Sequence, residues 1–247
     1  MRQPLSLKLP TLDRFTMLLH GGYSVGKTYL LGDMLTVEQA NGNVKFINVK
    51  GEEGHPSLAA FQLEDGIGET IETVDDWRDF VKEFKGKLRA VGIDGGPLFY
   101  RAIMKHITGV NRPPKVGANS NEWTDIHWVG VDFFTELHYL APIVVLACTS
   151  DLSVDQITGK TKKTPDLPGR MAAGSASYFD FVFYMSAEPV GPGKVRRILT
   201  TTPDGATVVR SRTPRPLPDP IAIPDGPGGW AILFKALQNS FKLEEKK

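Results

Sequence analysis

Cysteine is almost absent: Cys148 is the only one in 247 residues. That excludes an intramolecular disulfide framework and any cysteine-based zinc cluster. At the end of the apolar run Ile143 to Ala147, this thiol reads as a small buried hydrophobe. No apolar stretch reaches membrane-spanning length, and Met1 to Pro10 hold too little for a signal peptide, so a cytoplasmic protein with no membrane partner is expected. An excess of either charge is also missing. With 29 Lys and Arg against 28 Asp and Glu, the net charge is +1, which leaves any nucleic-acid binding to a local basic patch. His20, His55, His106, His127 and His138 lack metal-ligand spacing and read as structural or surface groups.

What is present is a globular composition, 41% hydrophobic and 23% charged, sufficient for one sizeable α/β domain with decorated edges. Short apolar runs predict strands over Arg14–His20, Asn43–Val49, Thr70–Val74, Arg89–Asp94, Pro142–Cys148, Phe179–Met185, Val195–Thr201 and Thr207–Arg212. Helical patterns fall over Lys27–Glu38, from Pro56, from Asp75 to Lys87, and over Leu98–His106, Glu122–Leu140 and Trp230–Phe241. Thr108–Asn121 and the polar stretch Thr149–Pro168 read as loops. Strands and helices alternate early, and strands cluster without helices after Phe179. The expected fold is therefore a mostly parallel sheet flanked by helices, with antiparallel strands added at the C-terminal edge. Residues 1–13 read as an N-terminal extension, 14–213 as the core, and 214–247 as a proline-rich connector with a final helix.

The strongest motif is Gly21-Gly22-Tyr23-Ser24-Val25-Gly26-Lys27-Thr28, which fits G-x-x-x-x-G-K-[ST] between a strand and a helix. Such glycines let successive N–H groups turn inward around phosphate oxygens, the helix end adds positive potential, and Lys27 supplies a mobile cation for the β- and γ-phosphates. Thr28 offers its hydroxyl to Mg2+. A second acidic group for the metal shell is expected at the end of another apolar strand, and Asp94 fits, with helix capping as the alternative reading. Glu52 and Glu53 follow the second strand and are candidates to orient an attacking water, Glu53 being preferred; either is also read as a solvated turn residue. Thr149, with Ser150 and Asp151, follows a later strand and either touches the γ-phosphate or only forms a turn. No Asn-Lys-x-Asp guanine-reading tetrapeptide occurs, which favours ATP over GTP.

Several of these residues together resemble a known family. The P-loop, Glu52-Glu53-Gly54, Ile93-Asp94, and Pro165-Asp166-Leu167-Pro168-Gly169-Arg170 followed by Tyr178-Phe179-Asp180-Phe181-Val182 are similar to the phage-encoded RecA-like ATPases. These include the single-strand-annealing recombinases of bacteriophages, and the resemblance runs from Phe15 to Phe241. It implies a RecA-like P-loop NTPase core with ATP and Mg2+, hydrolysis coupled to single-stranded DNA, and loops facing the nucleic acid. Lys115, Lys160, Lys162, Lys163 and Arg170 would then meet phosphates, although a basic run is also read as a solvated loop. Arg212, in Arg210-Ser211-Arg212-Thr213, resembles a motif that reaches a neighbouring subunit's nucleotide, which implies a homo-oligomeric ring or filament. The competing readings are a nucleotide-gated assembly protein and a subunit of another DNA-handling motor for packaging or helicase loading.

Overall fold

The computed structural model describes residues 12–52, 55–109, 120–154, 159–167, 170–192 and 194–242. In the first part of the chain, strands alternate with helices: β1 (Phe15–Gly21), α1 (Lys27–Glu38), β2 (Val44–Val49), β3 (Gly68–Ile71), α2 (Val74–Phe84), β4 (Ala90–Asp94), α3 (Gly96–Thr108) and α4 (Ser120–Leu140). Then follow β5 (Ile143–Val154), β6 (Thr161–Pro165), α5 (Arg170–Tyr178), β7 (Phe181–Gly191), β8 (Lys194–Thr200), β9 (Arg210–Ser211), β10 (Ile221–Ile223) and α6 (Gly229–Phe241). α2 opens on a capping box: Thr73 accepts from the Asp76 amide, and Asp76 accepts from the Thr73 amide at 2.8 Å.

Among the described residues, the strands form one ten-stranded sheet ordered β10-β8-β7-β1-β5-β4-β2-β3, with β6 attached to β5 and β9 to β7. The strands from β7 to β3 in this order run parallel, and β8 and β10 add antiparallel at one edge. Central strands such as β1, buried at every position, are mostly apolar because helices cover both faces, and the two polar side chains of β1, Thr16 and His20, are hydrogen-bonded. One face packs on α1 and α6 through Leu19, Leu31, Met34, Phe183, Trp230 and Leu233. The other packs on α2 to α5 through Trp77, Phe99, Phe133, Val144, Met171 and Phe179. No helix among the described residues is long and apolar enough to cross a membrane.

Three elements depart from the sequence expectation. The polar stretch after Cys148 is not wholly a loop: β5 continues to Val154 and returns as β6, with Ser150 opposite Pro165 and Val154 opposite Thr161. Pairing between the two strands satisfies their backbones, so a strand persists there without an apolar run. α5 is a helix of small residues, RMAAGSASY, whose Met171 closes onto Gly130 of α4; a Cβ on that glycine would lie 2.8 Å from Met171 Cε. The proline-rich connector contributes β10, which pairs with β8. α6 is anchored where the buried Asp33 of α1 accepts from the backbone amides of Gly228 (3.0 Å) and Trp230 (2.7 Å).

Candidate nucleotide-binding site

β1 is buried through Gly21, where a side chain would run into the carbonyl oxygen of Met185 on β7. Beyond it the chain curls tightly, with Ser24 at φ 57° and Gly26 at φ 101°, and α1 begins at Lys27. No acidic residue and no side-chain cap occupies the first turn of α1, so its leading amides keep their positive potential. Lys27 folds back over the turn, its Nζ donating to the carbonyls of Gly21 (3.1 Å) and Gly22 (2.6 Å). Burial lowers the Lys27 pKa against the pull of Asp94, so the ammonium is held where an added anion is strongly favoured.

Strand order then supplies the acid. β5 lies between β1 and β4, with Gly21 level with Thr149, and Ala147 level with Asp94. Alternation along β4 sets the side: Gly92 abuts Leu31 and Met34 of α1, so Asp94, two residues on, faces α1 as well. There the Thr28 hydroxyl donates to Asp94 Oδ2. Burial raises the Asp94 pKa, opposed by the Thr28 hydrogen bond and by Lys27. A buried carboxylate joined to a threonine hydroxyl beside this turn has the oxygen-donor chemistry that would hold a magnesium ion.

These groups open onto a cavity of about 290 Å³ whose wall includes Ser24, Lys27, Thr28, Glu52, Asp94 and Thr149. Glu52 reaches it from the turn after β2, where its amide donates to the Val49 carbonyl at 3.0 Å. Glu53, the preferred water-orienting residue, lies outside the described residues. Thr149 donates to Asp166 Oδ2 at 3.2 Å, tying the hairpin's return to the cavity. The expected basic residues that are described lie apart from this cavity. Lys160 and Lys162 are exposed on the hairpin, and Lys163 turns onto the Tyr184 ring, 4.7 Å from its centroid. Lys115 and the side chain of Arg170 lie outside the described residues. Arg212 donates to Asp180 Oδ1 (3.0 Å) and to the Ser177 carbonyl (3.3 Å), next to the start of β7 and so at the opposite end of the sheet from Gly21.

Two residues here had no signal in the sequence. Asn48 is level with Asp94 on the adjacent β2, and its buried Oδ1 accepts no hydrogen bond. Arg197 of β8 also lines the cavity and pairs with Asp225. Neither belongs to a local motif; strand pairing sets Asn48 beside Asp94 and Arg197 beside the turn.

A glycine-rich turn leading from a central strand into a buried helix, with an acidic strand end one strand removed, defines the RecA-like P-loop NTPase fold. No protein-family model matches the chain, and no curated protein matches it. Solved structures do: a KaiC-like protein from Pyrococcus horikoshii OT3 superposes with a TM-score of 0.51 at 14% identity, over 87% of this chain and 88% of that one. Weaker similarity is found to the flagellar accessory protein FlaH of Methanocaldococcus jannaschii (TM-score 0.46, 11% identity, 86% of each chain). A further solved ATPase domain is comparable (TM-score 0.45, 12% identity, 85% of this chain and 81% of that one). At these identities the likeness is one of fold.

Proposed function

We propose that this protein is a magnesium-dependent ATPase that binds ATP on Gly21–Thr28 and couples hydrolysis to single-stranded DNA, in phage recombination or annealing. The observation that carries the nucleotide reading is the convergence of Lys27, Thr28 and Asp94 on one cavity at the start of α1. Lys27 exchanges the Gly21 and Gly22 carbonyls for β- and γ-phosphate oxygens, and the leading amides of α1 cradle the phosphate chain. Thr28 and Asp94 hold Mg2+, which when bound neutralises charge on the phosphates. Glu52 or Glu53 orients the attacking water, and Thr149 registers the γ-phosphate.

The DNA reading is supported by the path of β5, which runs without interruption from Thr149 at the cavity into the basic hairpin. A change at the γ-phosphate side has only a few residues to travel before it reaches Lys160, Lys162 and Lys163. With Lys115 and Arg170, these lysines meet DNA phosphates in a largely sequence-independent, salt-sensitive way. Arg212 sits roughly 20 Å from its own P-loop, by the length of β1. A nucleotide reached by Arg212 therefore belongs to a neighbouring subunit of a ring or filament.

The test is magnesium-dependent ATP hydrolysis with and without single-stranded DNA over a range of salt, with Lys27→Ala as control. The expected outcome is turnover stimulated by single strands, fading as salt rises and lost in Lys27→Ala. Turnover indifferent to DNA would move the reading to nucleotide-gated assembly or to a subunit of a packaging or helicase-loading motor. Unchanged turnover in Lys27→Ala would remove the site itself.

A further inference from the structure

β7 continues past Met185, the residue level with Gly21, and β8 pairs along this overhang. Arg197 of β8 stands opposite Ala187, two residues beyond the start of the P-loop. Leu199 packs on the α1 side of the sheet, and by alternation Arg197 faces the same way. Its side chain lies against the turn: a Cβ on Gly26 would fall 2.5 Å from Arg197 Nε and 2.8 Å from Cδ. A side chain at Gly26 would have to displace the arginine, and would be strained in any case by the positive φ.

The hydrogen bonding of this guanidinium is incomplete. Its side chain is only 18% exposed, and Nη1 donates to Asp225. Nε is buried and has no hydrogen-bond partner. Asp225 lies just ahead of the segment pinned to α1 through Asp33, so the ion pair holds the arginine at the cavity wall. A buried donor left unmade costs folding free energy that a hydrogen bond from a bound anion would offset. A planar fork with open donors, fixed beside a phosphate cradle by a carboxylate behind it, has the chemistry of an anion clamp.

We propose that Arg197 is a nucleotide-binding residue acting within its own subunit, donating to the phosphate chain. This rests on the nucleotide reading above. β1 separates β7 and β8 from β5, β4 and β2. Arg197 therefore approaches from the flank opposite Asp94 and Glu52, and it meets phosphate oxygens on the side away from the metal. Lys27, rising from the turn itself, lies between these flanks.

The experiment is calorimetric binding of ATP, ADP and AMP with Mg2+ to the full chain carrying Arg197→Gln, Arg197→Lys, Asp225→Asn or Lys27→Ala. Melting of each variant without nucleotide is followed in parallel. Arg197→Gln is expected to weaken ATP and ADP binding by about tenfold to a hundredfold, the scale of a charge-assisted hydrogen bond. Arg197→Lys should recover part of that loss, and Asp225→Asn, which loosens the arginine without removing it, should weaken ATP binding clearly less than Arg197→Gln does. Arg197→Gln binding ATP like the parent, while Lys27→Ala does not bind, would overturn the proposal and leave the P-loop site standing. Asp225→Asn losing as much affinity as Arg197→Gln would also overturn it, since the ion pair alone would then be what matters. Lys27→Ala binding as tightly as the parent would remove the nucleotide reading and the role of Arg197 with it.

Discussion

Two polar clusters at opposite ends of β1 are satisfied to different degrees. At the end where β1 starts, Asp180 Oδ2 accepts from the Thr16 amide (2.9 Å) and hydroxyl (3.2 Å), while its Oδ1 accepts from Arg212. Every group in that cluster has a partner in the same chain. Where β1 ends, Lys27 is held only by carbonyls, Asp94 is buried with its pKa raised, and Asn48 Oδ1 and Arg197 Nε have no partner. Folding tolerates buried polar groups when their hydrogen bonds close among themselves. A cluster left open around a cavity is one that a ligand can complete.

Exchanging the two aspartates breaks the comparison most directly. Asp94→Asn should lower magnesium-dependent turnover by about a hundredfold, yet leave the protein without nucleotide melting no lower than the parent, because a desolvated carboxylate has been removed. Asp180→Ala should do the reverse, costing about 2 kcal/mol in urea unfolding with ATP affinity intact, since it strands the Thr16 amide. Equal effects of both variants on turnover would erase the distinction between the ends.

His20 tests it from inside the nucleotide end. It immediately precedes Gly21 but lies on the sheet face away from α1, with Nδ1 2.9 Å from Ser150 Oγ and Nε2 2.7 Å from the Val208 carbonyl. Burial pushes its pKa down to about 4 from 6.5. A folded-state pKa below the unfolded one gives stability that is complete above pH 6.5 and lost as pH falls toward 4. Urea unfolding should therefore show a loss of roughly 2 kcal/mol between pH 7.5 and 5 from this group, absent in His20→Gln. A slope unchanged in His20→Gln would mean the imidazole is not held neutral.

The smallest effect is expected at Arg212. Its pair with Asp180 is 44% exposed on the arginine side, so Arg212→Ala should cost less than about 1 kcal/mol of stability. Nucleotide affinity of the isolated subunit should not change. If Arg212 completes a neighbour's site, turnover falls only under conditions where subunits assemble, which sedimentation alongside hydrolysis reads out; equal loss in dilute, unassembled protein would refute the role in trans.

The P-loop and α1 were legible from end to end because the motif is local: its glycines, lysine and threonine are adjacent in the chain and sit at a change of periodicity. The same holds for β4 ending at Asp94, a short apolar run closed by an acid and a glycine. The parallel core with an antiparallel edge followed from the alternation of elements. The sequence did not show β5 continuing through Thr149–Val154, because that half-strand has no apolar pattern and exists by pairing with β6. It likewise held no sign of β10 within the prolines, or of Arg197 resting on Gly26. Composition and local spacing determined the class of fold and the glycine-rich turn between β1 and α1, since those depend on backbone conformations that neighbouring residues set. Strand order and register alone decided which distant side chains, Thr149 and Arg197, line the cavity and which, such as Arg212, stand at the other end of the sheet, since those placements depend on pairings between segments far apart in the chain.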